Sequence, residues 1–134
     1  MTHQEIDSRI ASLLETTPHL RKNWEGAPRV MHIPYMGNRE SFYLLISILV
    51  LPQFAERQLL VQETFSAARA AIESGLLNEE KAVDVAVYIS SPKGPQRMGR
   101  FTVYDTAFDR IRTLAISDLL NNDQHEGINW SWPP

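Results

Sequence analysis

The sequence predicts an α+β domain: an antiparallel sheet of about four strands with helices packed on one face, in the order α-ββα-ββα. Three observations carry that expectation. A capping signal opens an amphipathic stripe at the N-terminus. Two extended runs around a turn then lead into a second helical stripe, over residues 29–75. The same succession returns over residues 83–120.

The first helix is anchored by Thr2 and Glu5, the spacing at which hydroxyl and carboxylate satisfy each other's free backbone amides. Ile6, Ile10, Leu13 and Leu14 fall on one helical face, and Asp7, Ser8, Arg9, Ser12 and Glu15 supply the wet one. Pro18 disfavours helical dihedrals in the residue before it, so the helix is expected to stop near Thr16. Residues 19–28, punctuated by Gly26 and Pro28, read as a loop that carries Arg21, Lys22 and Trp24.

From Arg29 the chain looks extended, Gly37-Asn38 is a turn signal, and residues 41–50 are rich in Phe, Tyr, Ile and Leu. A hairpin is expected, with Pro34 confining its first arm to a sheet edge. A buried helix over 39–51, capped by Asn38, is the alternative, because periodicity does not separate the two in so apolar a run. Pro52 suits the first position of the next helix, whose stripe is Val61, Phe65, Ala68 and Ile72. Glu56, Arg57, Gln62, Glu63, Arg69 and Glu73 lie mainly elsewhere, and Gly75-Leu76 is a stop.

Val83, Val85, Val87 and Ile89 alternate against Asp84, Ala86 and Tyr88, a strand pattern ended by Ser90 to Pro95. Residues 99–104 return as its hairpin partner. Asp105 or Thr106 is placed to cap a last helix with the stripe Phe108, Ile111, Leu114, Ala115 and Leu119. The expected organisation is one domain over 1–123 and an aromatic, proline-ended tail over 124–134. The two ββα units share little beyond apolar pattern and an early phenylalanine (Phe54 and Phe108), which favours convergence over duplication.

Composition narrows the function classes. At 134 residues, 43% apolar and 22% charged, the chain can bury a real core without staples. Cysteine is absent, which removes disulfides, thiolate nucleophiles and cysteine metal sites and suits a reducing compartment. The net charge of −3 runs against a dedicated nucleic-acid binder. The polar, acidic start is unlike a secretory signal, and the longest apolar run, 42–51, falls short of the about 20 residues a membrane span needs. A soluble, cytoplasmic protein is expected.

Chemical constellations are sparse. The histidines, His3, His19, His32 and His125, form no His-Glu-x-x-His pair, so no metal site is expected. His32, in a strand beside Tyr35, is the candidate for a small enzyme cleft; its other reading is a structural edge-strand histidine. Asp105 and Asp109, one helical turn apart, suit acid–base work, but more simply compensate a helix dipole. Neither a glycine-rich phosphate loop nor a Gly-x-Ser-x-Gly elbow occurs, and no cofactor is expected.

Two features point to contacts. Lys93, Arg97 and Arg100 surround the second hairpin loop, and with Arg21 and Lys22 they form the candidate nucleic-acid patch. Trp130 and Trp132, spaced to face one side of an extended tail, are expected either to pack back or to anchor a partner. The favoured expectation is a non-enzymatic protein-binding module, an adaptor, chaperone, inhibitor or immunity-type protein, with a homodimer as one form it can take. Its contacts would be Trp24, Trp130, Trp132, Arg97 and Arg100. In element order, size and acidity the chain loosely resembles the dimeric export chaperones of type III secretion. That resemblance covers topology alone and implies no site residues.

Overall fold

The capping box forms as the spacing requires: the Glu5 amide donates to Thr2 Oγ1 at 3.1 Å and the Thr2 amide to Glu5 Oε1 at 3.4 Å. It opens helix α1, His3–Thr16, which buries Ile6, Ile10 and Leu14. In the computed structural model, which describes residues 1–121 and 125–131, helix α2 follows over Pro18–Arg21, inside the stretch expected to be a loop. Strands β1 (Arg29–Tyr35) and β2 (Asn38–Val50) form the first hairpin, so 39–51 is strand rather than helix. A 3-10 turn at Pro52–Phe54 precedes helix α3, Arg57–Glu73, whose start therefore lies later than Pro52. Strands β3 (Ala82–Ile89) and β4 (Gln96–Tyr104) form the second hairpin.

The single helix expected after Asp105 is broken. A 3-10 turn at Asp105–Ala107 leads into α4, Phe108–Ile111, and α5 follows at Ile116–Asn121. Neither Asp105 nor Thr106 caps α4, whose N-cap is Ala107 without a side-chain bond. Residues 128–131, expected in the tail, form strand β5, Ile128–Ser131, paired with β4.

The sheet is mixed and five-stranded, in the order β1-β2-β3-β4-β5, where four antiparallel strands were expected. The departure has a simple cause. Each hairpin is antiparallel, but α3 carries the chain back along the sheet, so β3 enters in the same direction as β2 and the two pair in parallel.

Alternation then sorts the side chains. Leu44, Ile46, Ile48 and Val50 of β2 align with Val83, Val85, Val87 and Ile89 of β3, and Phe101 and Val103 of β4 lie opposite Val85 and Val83. Nearly all of this row is buried, and it shares one core with Ile10, Leu14, Leu60, Phe65, Ala68, Ala71, Ile72 and Ile111 of the helices. The four residues of the expected α3 stripe are all buried. Glu63, read as part of the wet face, is buried too, at 8% exposure. The other face of the sheet carries no helix, and Tyr43, Leu45, Ser47, Leu49 and Tyr88 on it remain only half-buried. Among the described residues no helix is long and apolar enough to cross a membrane.

Candidate binding face

The uncovered face is built by register. Arg29, Met31 and Ile33 of β1 stand beside Ser47, Leu45 and Tyr43 of β2. Leu45, Ser47 and Leu49 pair with Asp84, Ala86 and Tyr88 of β3, which in turn face Thr102, Arg100 and Arg97 of β4. Asn129 and Ser131 of β5 close the row opposite Thr102 and Arg100. Tyr104 lies opposite Ala82, and Tyr35 stands at the end of the first hairpin. All four tyrosines of the chain thus line this face or its rim.

Arg97 and Arg100 share the face for a reason their spacing hides. Three positions apart in a regular strand they would point to opposite sides. The register skips between Val87 and Tyr88, leaving Met98 as an extra residue, and this bulge turns both guanidinium groups to the uncovered side.

Two depressions mark the face. The first, about 400 Å³, is lined by Tyr35, Tyr43, Asp84, Arg100, Tyr104 and Asn129 among others. The second, about 420 Å³, lies towards the other end, between Arg29, Met31, Leu49, Tyr88 and Pro95. At the first, Arg100 donates through Nε to Asp84 Oδ2 and its Nη2 meets the same oxygen. Asp84 is 2% exposed, and its other oxygen, Oδ1, is buried without a hydrogen-bond partner. The bond from Arg100 to Asp84 is the main reason the guanidinium pKa lies above its ordinary value; burial opposes it and Tyr43 adds to it.

The other residues singled out by sequence fall into different surroundings. Trp24 is buried, and its indole N–H donates to Glu63 Oε2 at 2.9 Å; Asn23 Nδ2 donates to Glu63 Oε1 at 2.7 Å. Trp130 is half-buried, its ring 4.6 Å from Phe101 on the helix side of the sheet. Trp132 lies outside the described residues. Lys93 is exposed in a turn closed by the Gly94 amide on Ser91 O at 2.9 Å. Arg21 pairs with Glu15 at 2.9 Å, and Lys22 is exposed beside it. Trp24 bridges Val50, and Ser90 donates to Glu25 at 2.8 Å, so the loops around 22–25 and 90–94 meet at one end of the sheet. The Arg21 ion pair and the Arg100 ion pair nevertheless engage separate partners, Glu15 and Asp84.

His32 is enclosed rather than set in a cleft. Its ring is stacked on His3, centroids 4.0 Å apart, and both ring nitrogens face carboxylates, those of Asp7 and Glu80. A base needs a free nitrogen within reach of substrate, and neither is free here. Asp105 and Asp109 are exposed on the short segments after β4. Among the described residues no three His, Asp or Glu side chains are grouped to hold a metal ion.

Sequence reasoning passed over Asp84. The signal was present: a lone carboxylate within Ala-Val-Asp-Val-Ala-Val, a run otherwise fit for a central strand buried on both faces. Comparison of the chain with protein-family models, with curated proteins and with solved structures finds no match.

Proposed function

We propose that this protein is a protein-binding module, that its contact surface is the uncovered sheet face, and that the partner presents an acidic surface. The observation that carries the reading is the gathering of all four tyrosines with Arg29, Arg97 and Arg100 on that face. Tyrosine and arginine are the side chains that most often carry binding energy at protein interfaces, because they offer large contact area and directional donors. Asp84 pairs with Arg100 and Glu25 lines the second depression beside Arg29, so the three arginines leave a small positive excess on this face of a chain of net charge −3. An acidic partner is complementary to it, whereas a second copy docked through the same face would bring two faces of the same charge sign together.

A second reading follows from the same side chains. Aromatic rings interleaved with arginines on an open sheet are also a platform for single-stranded nucleic acid, with Lys93 of the adjoining hairpin, Arg97 and Arg100 reaching phosphates. The net negative charge weighs against it.

Affinity capture from source lysate with the tagged protein, with and without nuclease, separates the two. A stoichiometric protein that survives nuclease, and is lost from an Arg29→Glu/Arg97→Glu variant, supports the protein-binding reading. Loss of all capture on nuclease treatment moves the assignment to nucleic acid. Capture unchanged in the double variant refutes the uncovered face as the contact surface.

A further inference from the structure

We infer that the depression around Asp84 is a pocket for a single nucleobase-type ring: a flat, uncharged heterocycle presenting an N–H next to a hydrogen-bond acceptor. This goes beyond the protein-binding reading and stands on different observations.

The first is an acceptor waiting for a donor. Asp84 is almost wholly buried, yet its Oδ1 has no hydrogen-bond partner, while Oδ2 is taken by Arg100. An unpaired buried carboxylate oxygen is costly, and a ligand N–H directed at it removes that cost.

The second is a donor beside that acceptor. Arg100 Nε and Nη2 both meet the single oxygen Oδ2, and a guanidinium has five N–H donors, more than one oxygen can take up. Tyr43 takes up part of that capacity, and the pair still holds an acceptor beside the remaining donors, the complement of a base edge that carries a donor next to an acceptor.

The third is charge. Asp84 and Arg100 neutralise each other, and the remaining polar lining, Thr102, Asn129 and Ser131, is uncharged. The paired charges offer a charged ligand no net attraction to offset the water it would lose, which favours a neutral occupant. The fourth is shape. Tyr35, Tyr43 and Tyr104 line the same depression and offer π-faces for a flat ring, and about 400 Å³ accommodates one base. Such a base can come from a free nucleoside or from a single strand; the recognising chemistry is the same.

The test follows backbone amides by NMR while adenosine, guanosine, uridine or a short mixed-sequence single-stranded oligonucleotide is added to the full chain. Saturable shifts confined to residues 82–84, 100–104 and 129–131 are expected with at least one probe. Because Asp84 sits in a central strand, the decisive variants are the more exposed Tyr104→Ala and Arg100→Lys, each checked for an unchanged amide spectrum. Each is expected to weaken binding about tenfold, the order of one lost base stack or one lost base-edge contact. Tighter binding of the oligonucleotide, with the same sensitivity to both variants, supports the pocket and assigns the base to a strand. Nucleoside binding with no gain from the oligonucleotide supports it and assigns a free ligand. Silence of every probe at millimolar nucleoside, shifts confined to other surfaces, or binding indifferent to both variants overturns the inference.

Discussion

His32 Nδ1 lies 2.6 Å from Asp7 Oδ1 while its Nε2 lies 3.3 Å from Glu80 Oε1, so one imidazole ties helix α1 and the segment before β3 to edge strand β1. The ring is 3% exposed at its side chain, and residues 25 and 48 positions away in sequence supply its partners. Three separate pieces of chain meet at a group whose charge is set by pH.

Burial pulls the His32 pKa down, but the hydrogen bonds to Glu80 and Asp7 and their negative charges outweigh it, and the folded-state pKa lies above the ordinary 6.5. Stability from this group is complete below 6.5 and is lost as pH rises through the folded-state pKa. Glu80 titrates the opposite way. Burial pushes it up, yet the bonds from His32 and from the backbone amide of Asn78 hold it below 4.5, so its contribution is present above 4.5 and lost on acidification. Melting curves across pH are therefore expected to show greatest stability between those limits, with a decline on the basic side. In His32→Gln that basic-side decline should vanish; a wild-type profile flat from pH 6 to 9 would show that His32 makes no such contribution.

Glu63 accepts from two buried donors, Asn23 Nδ2 and Trp24 Nε1. Glu63→Ala leaves both unpaired and is expected to cost about 2–4 kcal/mol in urea unfolding, whereas Glu63→Gln keeps one acceptor and should cost roughly half of that. Tryptophan emission should shift to the red in the alanine variant as the loop around Trp24 detaches from α3. Equal stability of both variants and wild type would contradict the assignment.

Gly127 has φ +78°, and a Cβ built there would lie 2.9 Å from Ala107 Cβ and 3.0 Å from Thr106 Oγ1. Strained backbone and steric overlap act together, so Gly127→Ala is expected to destabilise by about 2–3 kcal/mol and to loosen β5. Gly94, with φ +102°, faces open space, and Gly94→Ala should cost only about 1 kcal/mol. Hydrogen exchange at Tyr104, whose amide donates to Gly127 O at 2.8 Å, reports the difference directly.

Arg29 and Arg97 are exposed on the uncovered face, away from the helix-packed core. Charge reversal at either is expected to change unfolding free energy by no more than about 0.5 kcal/mol. Partner capture should nonetheless fall, and fall further for the double variant, with a weakened dependence on salt. A large loss of stability in either single variant would show instead that these arginines hold the fold.

Much of the secondary structure was legible because it rests on near neighbours. The Thr2–Glu5 cap, the stop before Pro18, the α3 stripe and the Val83–Val87 alternation each depend on residues within a few positions of one another. That helices would cover only one face of the sheet was legible; which residues gather on the other face was not. The parallel pairing of β2 with β3 depends on where α3 returns the chain, and the shared face of Arg97 and Arg100 depends on one extra residue at Met98. Trp24 and Trp130, both read as contact candidates, are occupied by Glu63 and Phe101, partners distant in sequence.

The sequence alone therefore determined the cap and end of α1, the stripe of α3, the inward side of β3, and, with no cysteine, a core held without disulfides. Those outcomes follow from capping, periodicity and composition, all properties of short windows. Only the tertiary structure decided the order and direction of the strands, the burial of Asp84, Glu63 and Glu80, and the gathering of every tyrosine on one uncovered face. A side chain's environment is set by chain that returns from far away, as Asn23 meets Glu63 across 40 positions, and no local window contains that information.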